Sequence, residues 1–404
     1  MTVEAATIDS GTSNPLLRLW RNKETRGVII QIATIAAIFA FIAWLVTNAI
    51  ANLEELGKGF SFSFLWDASN YDIGFSPFID FNSQSPHLTA ALVGLQNTLL
   101  VAVWGVVLAT ILGFIIGVLR LSKNFLMNRL AYCYVELIRN VPVLLWILLV
   151  HGAVVGNLPQ IRDFRGLEGL EDMNFFFTNR GLYMPAPEFQ PLAWAAFAAF
   201  IAGIVGAYMY AKRAKAKQEA TGEISPVLWV SVGLIVGLPV VVFVVTGLPW
   251  EWSSPELKGF NFQGGFVIKP EFMALWLALS IYTSSFIAEI VRAGIQAVSH
   301  GQTEAAHALG LRHNRALQLV IIPQALRVIV PPLTSQYLNL TKNSSLAIAI
   351  GYYDLVATIG GISLNQTGRE MECMIIVLLT YLTISLLISA FMNWYNNRIK
   401  LVER

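Results

Sequence analysis

The residue that stands out in this 404-residue chain is a lysine, Lys342, set in Thr341-Lys342-Asn343-Ser344-Ser345 within the otherwise charge-free stretch Val328 to Ile350. A lysine at the centre of a membrane helix costs about 2.5–3.5 kcal/mol on insertion scales and normally faces a cavity or a partner. Two uses are open to it. Its ammonium can pair with the carboxylate of a solute while Asn343, Ser344 and Ser345 supply hydrogen bonds. It can equally be a structural ion pair, or a side chain snorkelling to the outer interface.

Other candidate groups are isolated. Glu289 and Arg292 are three residues apart near the end of an apolar run, where a helix brings such residues onto one face. Glu136 and Arg139 repeat the spacing. Mutual neutralisation at a membrane boundary is expected of both pairs, since a proton relay needs a chain of such groups. Gln96, Asn97 and Thr98 open another apolar run, either facing a pathway or capping a helix. His87, His151, His300, His307 and His313 lack any metal-ligand spacing, and the last three read as solvated loop residues. Cys133 and Cys373 offer no disulfide framework or metal cluster. No G-x-x-x-x-G-K-[ST] occurs, because Leu56-Gly57-Lys58-Gly59 lacks the first glycine and the hydroxyl residue, so ATP has no cradle on this chain.

These groups have to be positioned by membrane helices. Hydrophobic residues make up 55% of the chain and charged residues 13%, about half the ~25% of soluble domains. Mean hydropathy is +0.60. A span needs about 20 apolar helical residues, because every backbone polar group must be satisfied within it. Eight stretches qualify: Gly27 to Leu53, Thr98 to Leu119, Asn140 to Gly156, Leu192 to Ala211, Pro226 to Gly247, Phe272 to Ile290, Val328 to Ile350 and Met374 to Tyr395. The first is too long for a removable signal peptide. Cationic loops stay cytoplasmic, and 19 of the 27 Lys and Arg fall on one side of this alternation, which places both termini in the cytoplasm. The opposite segments, Leu53 to Pro86 and Asn157 to Pro191, read as ordered loops. The net charge of +2 suggests no nucleic-acid partner.

One cytoplasmic segment, Gly294 to Arg327, carries unusually strong local signals. Thr303 is the expected N-cap of a short helix through Glu304, Ala305, Ala306, Ala308 and Leu309, with Gly310 its left-handed stop. A second short helix, Asn314 to Ile321, is expected to end before Pro323. The segment can be an amphipathic connector resting on headgroups, or a compact element whose small residues admit another protein's groove.

The spacing Glu304-Ala305-Ala306, three residues, Gly310, nine residues, then Val320, Ile322 and Pro323 resembles the EAA motif of ABC importer permeases. Ser285-Phe286-Ile287-Ala288-Glu289-Ile290-Val291-Arg292-Ala293-Gly294-Ile295 before it, and Pro323-Gln324-Ala325-Leu326-Arg327 and Pro331-Pro332-Leu333 after it, resemble the polar amino-acid branch. So do Asn97-Thr98-Leu99, Gly117 with Arg120, and Glu136-Leu137-Ile138-Arg139-Asn140-Val141-Pro142. The extra N-terminal span and a two-span insert are similar to the long permeases of general L-amino acid systems.

The resemblance implies an all-α membrane protein of about eight transmembrane helices with a five-helix permease core. Its expected parts are a cytoplasmic tail (1–26), an extra helix (27–53), a periplasmic loop (54–87), a first core part (88–155), an insert (156–270) and a second core part (271–404) containing the coupling loop (294–327). It implies a non-enzymatic subunit of an ATP-driven importer in the bacterial inner membrane. Glu304, Ala305, Ala306 and Gly310 would dock on ATPase subunits, two copies of which hold the ATP and Mg; this chain needs no cofactor of its own. A periplasmic amino-acid-binding protein would deliver substrate, and a second permease, a related chain forming a heterodimer, would complete the pathway lined by Lys342, Asn343, Ser344 and Ser345. An ion-coupled secondary amino-acid transporter, working without partners, is the alternative.

Overall fold

The computed structural model describes residues 23–55, 59–167, 170, 173–223 and 225–399. Most of the expected cytoplasmic tail, including Arg18 and Arg21, lies outside the described residues, as do Lys58, Lys400 and Arg404. Eight helical segments are long and apolar enough to cross a membrane. Helix α1 is Lys23–Glu55 and α2 is His87–Leu119. At 1.5 Å per residue, the 33 residues of α2 reach about 50 Å, well beyond a ~30 Å hydrocarbon core. The helix begins eleven residues before the expected Thr98, so Gln96, Asn97 and Thr98 are interior residues and cap nothing.

Helix α3, Phe125–Arg139, starts where the Asn124 side chain accepts the N–H groups of Leu126 and Met127 at 2.9 and 3.2 Å. It breaks from α4, Val143–Asn157, at Asn140–Pro142, where the proline removes a donor and holds its predecessor out of helical geometry. Helix α5, Trp194–Thr221, packs against α6, Val227–Val245, which contains a π-helical turn at Gly233–Gly237. Helix α7 is Pro270–Gln296, with proline at its first turn. Helix α8 is His300–Ala308, α9 is Ile322–Asn343, and α10 is Glu370–Ile399.

Helix α7 is the axis of the core. Of its most apolar window, 61% is buried, against 28% for α2 and none for α1 or α6. Its buried residues are largely small: Ala278, Ser280, Thr283, Ser284, Ser285, Ala288 and Gly294. Lipid tails are as apolar as leucine, so membrane helices gain from close packing, which small residues permit. The facing stripe on α2 matches: a Cβ on Gly113 would collide with Ile287, and one on Gly117 with the Ala288 carbonyl and Val291. Helices α3, α4 and α9 also pack on α7. Tyr134 of α3 donates to the Ile281 carbonyl at 2.9 Å and lies 2.7 Å from the Ser284 hydroxyl.

Pro331 and Pro332 do not interrupt their helix, since α9 runs unbroken through both. Neighbouring helices compensate the two missing donors in a packed membrane bundle. The segment Asn157 to Pro191, read as an ordered loop, and the stretch between α6 and α7 carry seven short strands among the described residues: β1 Phe176–Thr178, β2 Gly181–Met184, β3 Ala186–Phe189, β4 Trp250–Ser253, β5 Glu256–Lys258, β6 Asn261–Gln263 and β7 Phe266–Ile268. They pair antiparallel as β1-β2-β7, β3-β4 and β5-β6. Phe176 stacks on Phe262 at 4.3 Å, with Tyr183 and Ile161 completing a small separate core.

Candidate functional site: a coupling arm and a polar core

Ser299, one residue before α8, is its N-cap position, so Thr303 and Glu304 are interior and the expected cap at Thr303 is corrected. The helix closes with Gly310 at φ +79°, where the Gly310 N–H bonds the His307 carbonyl at 2.9 Å and the Leu311 N–H bonds the Ala306 carbonyl at 3.1 Å. That double bond pattern needs a left-handed residue, and glycine adopts it without steric cost. The second short element also differs. A helical turn at His313–Ala316 passes into a π-helical turn at Leu317–Ile321 and straight on into α9, so the element does not end before Pro323, which follows directly on the π turn.

Of the four expected docking residues, Glu304, Ala305 and Gly310 are exposed, while Ala306 is buried and anchors the helix inward. Leu309 is 83% exposed, an apolar knob at the corner that charge and motif spacing did not single out. Gln324 of α9 donates to the Gln302 side chain of α8 at 3.1 Å, tying the arm to the span behind it. His300 Nδ1 lies 3.2 Å from Glu304 Oε1, across one helical turn.

Glu289 of α7 meets Arg292 as expected, at 2.5 Å, and also accepts from Arg120 at the end of α2. Arg120 is only 10% exposed and completes this cluster from 169 residues away, too far for local spacing to reveal. The repeated spacing does not repeat the contact: the Arg139 guanidinium lies 5.1 Å above the Phe286 ring, with no Glu136–Arg139 ion pair among the described residues.

The expected pathway residues diverge. Lys342 is exposed on the last turn of α9, and Asn343 is half-buried. Ser344 is buried, donates to the Thr341 carbonyl at 2.7 Å and lies 3.4 Å from the Tyr381 hydroxyl. Ser345 turns back onto the Lys342 carbonyl at 2.7 Å. The four therefore do not form one cluster, because the helix tightens to 3-10 geometry at Ser344–Ile350 and swings successive side chains apart.

Behind Ser344 lies a buried carboxylate that sequence reasoning missed. Asp354 is fully buried and accepts from Tyr381 of α10 at 3.1 Å and from the Ala357 N–H at 2.8 Å. Its neighbours join the same network: the Leu355 N–H donates to Thr98 at 3.2 Å, the Tyr352 hydroxyl to the Asn97 carbonyl at 3.1 Å, and the Asn97 amide to the Tyr353 and Phe75 carbonyls at 2.9 Å. Asn97 and Thr98 thus pin the 352–355 turn to α2 and face no open path. Beside this network runs an open apolar groove of about 750 Å³ between α2, α9 and α10, lined by Leu99, Val103, Thr341, Thr380 and Phe391.

Residues 223–401 match the family described as binding-protein-dependent transport system inner membrane component. The chain is 48% identical to the general L-amino acid transport system permease protein AapQ of Rhizobium johnstonii, over 94% of this chain and 93% of that one. It is 50% identical to the glutamate/glutamine/aspartate/asparagine transport system permease protein BztB of Rhodobacter capsulatus, over 94% and 95%. To the putative amino-acid ABC transporter permease protein YhdX of Escherichia coli it is 44% identical, over 97% and 96%. A solved amino acid ABC transporter with histidines is a more distant likeness, at 23% identity and a TM-score of 0.45 over 77% of this chain and 95% of that one. Likeness at this level over nearly the whole length, joined to eight apolar spans and an arm with the coupling spacing, means that the chain belongs to the family of amino-acid ABC transporter permeases.

Proposed function

We propose that this permease carries amino acids inward across the bacterial inner membrane as one of two permease subunits, powered by separate ATPase subunits and supplied by a periplasmic binding protein. The observation that carries this reading is the arm at α8: an exposed Glu304-Ala305 face and a bare Leu309 held rigidly by the Gly310 stop and the Gln302–Gln324 tie. An apolar side chain so exposed on an ordered corner fits an anchor that fills a pocket in a partner. Both termini and this arm lie on the cytoplasmic side, following the cationic bias. Lys342, exposed on this subunit, then faces the second permease across a shared pathway and meets the substrate carboxylate there. ATP closing the two ATPases draws the arms together and tilts the bundles, which requires ATP and the loaded binding protein each to favour one state.

The test is purification from the native membrane. A P-loop ATPase is expected to accompany the chain, and Leu309→Asp or Gly310→Val to reduce that association at least tenfold while the chain remains inserted. Transport by the chain alone on an ion gradient, with no ATPase bound, overturns the reading.

A further inference from the structure

A second cavity, of about 500 Å³, lies at the opposite end of α2 from the Arg120–Glu289 cluster. Its volume falls within the ~300–1,000 Å³ of small-molecule sites. Unlike the apolar groove, its wall carries opposite charges and hydrogen-bonding groups: Asp67, Asn70, His87, Gln366, Thr367 and Arg369. Three chain segments converge on it, namely the turn after Ser63–Trp66, the first residue of α2, and the turn before α10.

The polar wall is held in place from behind. The His87 N–H bonds the Asp67 carbonyl at 3.0 Å, and His87 Nδ1 lies 2.8 Å from the Ser363 hydroxyl. Asn70 is held at φ +56°, its amide donating to the Ala68 carbonyl at 3.0 Å. Arg369 directs Nη1 to the Gly59 carbonyl and lies 3.6 Å from Glu372, which is 2% exposed and accepts the Ser61 N–H at 2.8 Å. Its Nε and Nη2 donors have no hydrogen-bond acceptor among the described residues. The Asp67 carboxylate likewise makes no side-chain hydrogen bond or ion pair among them.

A guanidinium edge with two N–H groups to give matches a carboxylate, and a lone carboxylate matches an ammonium. A single small molecule carrying both is an α-amino acid in its zwitterionic form. We propose that this cavity is an outer reception site for amino acids, in which Arg369 takes the α-carboxylate, Asp67 the α-ammonium, and Asn70, Gln366 and Thr367 polar side-chain atoms. It deepens the transport reading and rests on it, adding a station before the membrane-buried pathway.

The complete transporter, with its ATPases and second permease, is placed in nanodiscs without binding protein, and binding of radiolabelled L-glutamine is measured. Saturable binding is expected, weakened at least tenfold by Asp67→Asn or Arg369→Gln and largely restored by Asp67→Glu. Because Arg369 also braces the turn, the unaltered transporter gives the independent readout: glutaramate, lacking the ammonium, and 4-aminobutanamide, lacking the carboxylate, should each compete at least tenfold less well than L-glutamine. Equal competition by either analogue overturns the site. So does glutamine binding that survives Asp67→Asn while stimulation of ATP hydrolysis by the binding protein is lost, which would make the cavity a protein-docking surface. Intact ATP-driven uptake by the same transporter in proteoliposomes supplied with binding protein, with no saturable binding in nanodiscs, overturns this inference alone; absence of ATP-driven uptake in the proteoliposomes overturns the transport reading beneath it.

Discussion

Helices α1 and α7 are both long enough to span a bilayer, yet they use their side chains in opposite ways. Helix α1 intersperses large aliphatic and aromatic residues with alanines and buries no residue among the described ones. Helix α7 is among the less apolar of the eight and is the most buried, through alanine, serine, threonine and glycine. High apolarity marks contact with lipid or with something outside the subunit. Small and hydroxylated residues mark contact with protein, since they let backbones approach and hydrogen-bond where no water is available. Helix α6 sides with α1, being wholly unburied in its apolar window although it packs on α5 and sets Phe243 against Phe189 and Trp250.

The largest effect is expected from crowding α7. Gly117→Leu forces a side chain into the Ala288 carbonyl and Val291, an overpacking of at least about 1–3 kcal/mol. The detergent-purified chain should lose several degrees in Tm, whereas Ala37→Leu on the exposed face of α1 should leave it unchanged; equal losses would break the contrast. Next is Asp354→Leu, which strands the buried Ala357 N–H at about 1–3 kcal/mol and leaves the Tyr381 hydroxyl only its longer contact with Ser344. Amide exchange around 355–358 should accelerate, and Asp354→Asn, which keeps an acceptor oxygen, should fall between. A smaller loss, about 1 kcal/mol, is expected for Glu289→Gln, because its partly exposed pair with Arg292 is screened and mainly Arg120 loses its counter-charge. Double-mutant analysis with Arg120→Gln measures it, and additivity would show that the two side chains do not interact. Smallest is Val240→Leu on the bare face of α6, expected within about 0.5 kcal/mol. A loss well above that in the complete transporter, absent from the isolated chain, would show that α6 meets a partner and not lipid.

The spans and the short helix that stops at Gly310 were legible in the sequence because both rest on local signals. Charge-free length marks a span, and alanines ending at a glycine mark a capped short helix. Asp354 was not legible: it sits in Gly351-Tyr352-Tyr353-Asp354-Leu355 like any loop acid, and its burial depends on Tyr381 and Thr98, 27 and 256 residues away. The start of α2 was missed because His87 and Thr89 look like loop residues, while the bonds that hold the turn before it come from Asp67 and Ser363. The strands escaped because runs of three or four residues are too short to show a period. Around Lys342 the polar run itself was plain, but a change of helical pitch at Ser344, which spacing alone does not show, decides which of its members face the same way.

The unbroken passage of α9 through Pro331 and Pro332 has a mechanical consequence. Its 22 residues make a rod of about 33 Å, with the Gln324 tie near one end and Lys342 at the other. A hinge at the prolines would absorb a push at the Gln324 end, but a rod delivers it: a 10° tilt about one end displaces the other by roughly 6 Å. Under the proposed coupling, the length of the rod between the Gln324 tie and Lys342 would therefore set the displacement at Lys342.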